Sequence, residues 1–226
     1  MVNLMTKYKY VLFDLDGTIS ESALGIRKSL EHTITVLGGG TDMPDLSDYT
    51  LYIGPPLLDT FRNLCHFSEE KSREGVEIYR AYYDEYGKTM NRLYDGIADV
   101  LKKLKEDGCK VAVCSSKYEK FAGEIIEILG VSEYFDAICG STLDGSRKDK
   151  KDLIPYAVKS LGGDFENERE SVIMLGDTFF DARGARQCEV DFVGVEYGYG
   201  DVQMMKDEGA SVFAKTPVDI IPLLSK

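Results

Sequence analysis

The sequence predicts an α/β fold: a parallel sheet covered by helices on both faces, with a separate helical domain inserted near its start. Three observations carry that expectation. Tyr10-Val11-Leu12-Phe13 is a short apolar run, too short for a helix, and it stops on the polar stretch Asp14-Leu15-Asp16-Gly17-Thr18. From Tyr94 onward, helical and strand-like segments alternate, the pattern of right-handed crossovers in a parallel sheet. Between these two parts, residues 20–87 read as almost wholly helical. The predicted division is a core of residues 1–19 and 88–226 and a helical cap of residues 20–87.

Each element follows from local signals. In residues 21–37, Leu24, Ile26, Leu30, Ile34 and Leu37 recur near helical spacing, Ser20 or Ser22 caps the start, and Gly38-Gly39-Gly40 ends the helix. Residues 46–53 form a short helix or turn, and Pro55-Pro56 opens a helix reaching about Cys65. Ser68-Glu69-Glu70 starts another, a serine cap with carboxylates in the first turn, running to about Tyr86. In the second part, strands are predicted at 110–114, 137–139, 172–175, 192–195 and 212–213. Helices are predicted at 97–107, 119–129, 152–161, 181–188 and 202–208, with a last one after Pro217.

Composition removes several classes of function. Lys and Arg number 27 against 39 Asp and Glu, a net charge of −12, which argues against general binding to nucleic acid or anionic membranes. No apolar stretch approaches the roughly 20 residues needed to span a bilayer. The five cysteines, Cys65, Cys109, Cys114, Cys139 and Cys188, are scattered and odd in number. They fit reduced thiols and a cytoplasmic location better than a disulfide framework or a zinc site.

Chemistry gathers where predicted strands end, the place where open α/β sheets collect ligands. Asp14 and Asp16 project to one side of an extended chain, and Gly17 lets the backbone turn away. Two crowded carboxylates call for a cation, and hard oxygen ligands suit Mg²⁺. A later strand ends in Ser115-Ser116-Lys117, whose hydroxyl and backbone donors suit phosphoryl oxygens. Residues 141–151 form the most basic loop of an acidic chain, and Leu175-Gly176-Asp177 is followed within about a turn by Asp181. Each piece alone also reads as an ordinary turn or solvated charge run.

Together, Asp14-Leu15-Asp16-Gly17-Thr18, Ser115, Lys148, Gly176-Asp177 and Asp181 resemble, in order and context, the haloacid dehalogenase superfamily of phosphohydrolases. The layout looks most like its phosphoglycolate phosphatase-like branch, with a Rossmann-like core and a small helical cap. The resemblance implies that Asp14 attacks phosphorus to give an aspartyl-phosphate, and that Asp16 is the general acid and base. It implies a Mg²⁺ site made by Asp14, the Asp16 main-chain carbonyl and Asp177, with Asp181 supporting. Ser115 would bind the transferring oxygens, with Ser116 and Lys117 beside it, and Lys148 would offset charge. The family's lysine is often followed by proline, whereas Asp149 follows Lys148, so Lys150 and Lys151 are alternatives.

The expected activity is a Mg²⁺-dependent phosphatase acting on a small phosphorylated metabolite: phosphoglycolate, a sugar phosphate or a nucleoside monophosphate. The retained Asp16 argues against the dehalogenase and phosphonate hydrolase branches. The rivals are a β-phosphoglucomutase-like phosphotransferase, which keeps both aspartates, and a non-catalytic binding module. Substrate choice is expected in the cap, with Arg27, Arg62 and Gly54-Pro55-Pro56 as candidate contacts and hinges near Ser20 and residues 87–93. The cap tyrosines suit core packing or a stacking surface for a base. His32 and His66 lie in the insertion, away from the carboxylates, and neither makes a convincing metal ligand. The protein is expected to be a monomer or homodimer.

Overall fold

The computed structural model describes residues 6–38 and 44–225. The chain opens with β1 (Tyr10–Phe13), β2 (Ser20–Glu21), α1 (Ala23–Val36), α2 (Leu57–Asn63), α3 (Glu69–Glu85) and β3 (Arg92–Leu93). Alternation follows: α4 (Ile97–Glu106), β4 (Lys110–Tyr118), α5 (Glu119–Ile128), β5 (Ala137–Ser141), α6 (Lys150–Ser160), α7 (Phe165–Glu168) and β6 (Val172–Gly176). It ends with α8 (Phe179–Cys188), β7 (Asp191–Val195), α9 (Val202–Asp207), β8 (Phe213–Ala214) and α10 (Ile220–Leu224).

β1 lies inside a six-stranded parallel sheet of order β5-β4-β1-β6-β7-β8. All four of its residues are buried because both sheet faces are covered. Val11 and Phe13 point into one apolar core, while Tyr10 and Leu12 point into the other. The alternation explains why a run with no polar position is a strand here. Phe13 is level with Val113 of β4 and with Leu175 of β6, so pairing along β1 ends beside Cys114 on one neighbour and Gly176 on the other, while β4 itself continues to Tyr118. That register brings Asp14, Ser115 and Asp177 to a common rim.

β2 and β3 form a separate antiparallel ribbon where the chain leaves and re-enters the sheet domain. This ribbon was not foreseen, since two residues per strand carry no readable period. Ser20 Oγ donates to Asn91 Oδ1 at 2.7 Å, and Asn91 Nδ2 donates to the Tyr83 hydroxyl at 3.2 Å. The two connections therefore hold one another, at the segments where hinges were expected.

The helices between them pack as foreseen, with adjusted phase. α1 and α3 lie against each other, as do α2 and α3. Ile26, Leu30 and Ile34 are buried, but Leu24 turns outward. Ser68 caps α3 by accepting from the Lys71 amide. Gly38 follows α1 at φ +77°, and the rest of the expected glycine stop, Gly39 and Gly40, lies outside the described residues. The tyrosines divide: Tyr79 and Tyr83 are buried and stacked on one another, and His32 stacks on Tyr82.

Candidate active site

The carboxylates gather where the register predicts. Asp14 follows β1 directly, its amide donating to the Leu175 carbonyl at 2.8 Å. Oxygens of Asp14, Asp177 and Asp181 all lie within 4.8 Å of one another, and all three residues are buried. Asp181 is fixed by its place at the start of α8, where one oxygen accepts from both the amide and the hydroxyl of Thr178. Asp177 accepts from the Tyr199 amide at 2.8 Å and from the Thr18 hydroxyl at 3.3 Å.

The lysine that meets this cluster is Lys150. Its ammonium donates to Asp14 Oδ1 at 2.6 Å and to the Cys114 carbonyl at 2.7 Å. It also lies 2.6 Å from Asp181 Oδ1, off the hydrogen-bonding direction. This corrects the expectation for Lys148, which is exposed at the margin of the cleft. The reason is helical phase: α6 starts at Lys150, capped by Asp149 rather than by the expected Asp152, and its first side chain points into the sheet rim. Three lysines within four residues gave the sequence no way to choose among them.

Asp16 lies apart from the cluster as a side chain. Its Oδ2 accepts from Lys117 at 2.6 Å, while Oδ1 is buried without a partner. Lys117, expected to bind substrate oxygens, therefore bonds Asp16 and lies 4.7 Å from the centre of the Tyr83 ring. The Asp16 carboxylate is thus not among the grouped oxygens of Asp14, Asp177 and Asp181. Ser115 is buried next to these groups and accepts from the Lys117 amide, and Ser116 is exposed on the cleft wall. Arg62 also lines the cleft but is occupied by Asp59 and Glu69 on its own helical layer. Arg62, expected to hold substrate, thus lies on the cleft with its guanidinium paired to these carboxylates. Arg27 is paired with Glu31.

Crowding has electrostatic consequences. Burial, aided by the Asp181 and Asp16 charges, outweighs Lys150 and raises the Asp14 carboxyl to about 6. Burial and the Asp14 and Asp181 charges push Asp177 well above the ordinary carboxylate range. Burial works to lower both lysines, but Asp14 and Asp181 outweigh it at Lys150, as Asp16 does at Lys117, so both are raised. Among the described residues, Asp14, Asp16 and Asp181 pair with Lys117 and Lys150, so with Asp177 and all four carboxylates deprotonated the group carries a formal charge of −2. An all-oxygen, doubly negative pocket fits a hard divalent cation.

The turn expected at Gly17 is present, and two close approaches to Asp177 were not foreseen. Gly17 sits at φ +81°, and a side chain there would collide with the Asp177 carboxylate, so glycine permits both the turn and the approach. Gly198-Tyr199-Gly200, after β7, wraps Asp177, and the Tyr199 hydroxyl accepts from the Ser22 and Ala23 amides at the start of α1. An aromatic residue flanked by glycines after a strand was the available signal.

Comparison with known proteins agrees with this geometry. The family described as haloacid dehalogenase-like hydrolase matches residues 11–195. A 5'-nucleotidase of Pseudomonas aeruginosa is 38% identical over 194 residues, covering 86% of this chain and 85% of the relative. Tyrosine-protein kinase PtkA of Mycobacterium tuberculosis is 35% identical over 202 residues, covering 89% of this chain and 67% of the kinase. Further relatives are named phosphoglycolate phosphatase and pyrophosphatase. The crystal structure of a predicted phosphatase from Clostridium acetobutylicum superposes with a TM-score of 0.87 at 36% identity, covering 96% of this chain and 98% of that one. With the family description running from β1 through β7 and taking in all four aspartates, the chain belongs to the haloacid dehalogenase-like hydrolases.

Proposed function

We propose that this hydrolase is a Mg²⁺-dependent phosphatase that cleaves small phosphate monoesters through an aspartyl-phosphate on Asp14. The observation that carries the reading is Asp14 itself: a buried carboxylate at a strand end, held at one oxygen by Lys150 and grouped with two further aspartates. Fixing one oxygen leaves the other to attack phosphorus, which makes the first covalent bond and breaks the ester bond. Asp16 is assigned to protonate the departing alkoxide and then to take a proton from the attacking water. Lys117 holds its carboxylate in place for that role. Ser115 and neighbouring amides hold the transferring oxygens, while Lys150 offsets charge on Asp14 and the phosphoryl group.

Asp14, Asp177 and the Asp16 main-chain carbonyl would hold the Mg²⁺, with Asp181 behind them. When bound, the ion would neutralise the crowded carboxylates and the phosphate oxygens. Residues 20–87 are assigned as a cap that opens for substrate and closes against water, turning on the β2–β3 ribbon. Among the described residues no helix is long and apolar enough to cross a membrane, and the assigned partner is a small metabolite in the cytoplasm.

The kinase among the relatives supports a second reading, in which an acceptor other than water takes the phosphoryl group. A phosphate-release assay over a panel of metabolite esters, with Mg²⁺ and with EDTA, separates the two. The proposal expects free phosphate, its loss on chelation, and a fall of at least about ten-thousand-fold in Asp14→Asn. Turnover indifferent to EDTA or to Asp14→Asn would overturn the mechanism. Phosphate appearing only on an added acceptor would favour the second reading.

A further inference from the structure

We infer that the preferred substrates have an uncharged leaving group bearing a planar aromatic ring, the nucleoside monophosphate class, and that Phe180 is the wall that selects it. The inference rests on the phosphatase reading and narrows its substrate. Two independent observations carry it, one about shape and one about charge.

The cleft over Asp14 encloses about 750 Å³, far more than a two-carbon acid fills and within the range of sites for ligands of nucleotide size. Its upper wall is apolar: Ile53, Pro55, Leu57 and Leu58 face it from the cap, and Phe180 faces it from the core. Phe180 is in the first turn of α8, one residue before Asp181, so its backbone is tied to the carboxylate cluster. Phe179 lies under the Arg183 guanidinium and braces the Phe180 ring at a centroid separation of 4.0 Å. The Gly54 turn lies against the far edge of the ring, where an added side chain would come within 3.4 Å. The ring is half-buried, so part of it is open to a ligand. A planar group laid on it would stack at little cost in ordering, because the ring is already fixed.

Charge on the cap wall disfavours the alternatives, and Lys148, exposed at the core margin of the cleft, stands outside the cap pairs. Every cap cation on the cleft has a carboxylate partner on the cap: Arg62 with Asp59 and Glu69, Arg73 with Glu69, and Arg80 with Glu77. Glu74 also lines the cleft. A second anionic group, such as the carboxylate of phosphoglycolate or the distal phosphate of pyrophosphate, would be desolvated beside an apolar wall and a set of cap charges in which three arginines stand against four carboxylates. An uncharged sugar bearing a base meets no such penalty. The large cleft and the apolar cap wall, whose arginines are all paired, therefore point to the same leaving group.

The test is the ratio of kcat/KM for a nucleoside 5'-monophosphate to that for glycerol phosphate, measured in the wild type, Phe180→Ala and Phe180→Tyr. A ratio cancels any difference in the folded fraction. The wild type is expected to prefer the nucleoside ester over glycerol phosphate, phosphoglycolate and pyrophosphate. Phe180→Ala should lower the ratio about tenfold, mainly through KM for the nucleoside ester, because stacking on an aromatic face is worth about 1–3 kcal/mol per base. Phe180→Tyr, which keeps the ring, should restore it. The inference is overturned if phosphoglycolate or pyrophosphate is the better substrate, or if Phe180→Ala leaves the ratio unchanged. Either of those results still contains Mg²⁺-dependent ester hydrolysis, so the phosphatase reading survives the loss of the narrower one.

Discussion

The two walls of the cleft handle charge in opposite ways. On the core wall, Asp14, Asp177 and Asp181 are buried within 4.8 Å of one another with one lysine among them. On the cap wall, Arg62, Arg73 and Arg80 are matched by Asp59, Glu69 and Glu77, and these pairs remain partly exposed. Exposed, balanced pairs contribute little energy and leave a nearly neutral surface. A buried, unbalanced cluster is costly in isolation and becomes favourable only with a cation or a developing charge to meet. The core wall is therefore arranged for chemistry, and the cap wall for packing against whatever the phosphate is attached to.

Substitutions on the two walls should separate accordingly. Lys150→Met removes the cation between Asp14 and Asp181 and should lower kcat by about 10²–10³-fold. It should also destabilise the metal-free protein, toward the roughly 3–5 kcal/mol typical of a broken buried pair, less what proton uptake by Asp14 recovers. Chemical denaturation alongside steady-state kinetics measures both. An intact kcat in that variant would return the catalytic role to Lys148 or Lys151.

Next in size is the link between pH and metal. The folded Asp14 carboxyl titrates at about 6, above its ordinary 3.8, and Asp177 is raised as well, so the folded state holds protons that the unfolded chain has released. Metal-free stability should therefore fall as pH rises from about 4 through 6. Mg²⁺, which binds the deprotonated cluster, should raise Tm more at pH 8 than at pH 5. An equal rise at both would mean that the ion binds away from these carboxylates. The smallest effect belongs to the cap wall: Arg62→Ala should change stability by no more than about 0.5 kcal/mol and leave turnover within about twofold. A large loss of turnover there would show that Arg62 leaves its carboxylates to meet substrate.

Much of this division was legible in the sequence, for reasons that differ by element. β1 and the aspartates after it were clear because a buried parallel strand has an all-apolar run and an abrupt polar end. Ser115 and Asp177 followed from the same rule on neighbouring strands. Lys150 was one of several candidates, because which lysine faces the rim depends on where α6 begins, and the sequence suggested a cap at Asp152 rather than at Asp149. The Lys117–Asp16 pair and the neutralised Arg62 depend on long-range or cross-helix contacts that no local spacing encodes. The strand reaching Tyr118 was read as stopping at Cys114 because its last residues are polar and pair only irregularly with β5. Phe180 was passed over because an aromatic residue beside two strand-end carboxylates looks like core until the cleft is seen.

The central claim, that Asp14 takes the phosphoryl group before water does, is most directly tested by stereochemistry. A monoester made chiral at phosphorus with sulfur and heavy oxygen isotopes can be hydrolysed in isotopically labelled water and the configuration of the product determined. Two successive in-line displacements, first by Asp14 and then by water, predict retention. Inversion would mean that water attacks the ester directly, and Asp14 would then be a metal ligand and not the nucleophile.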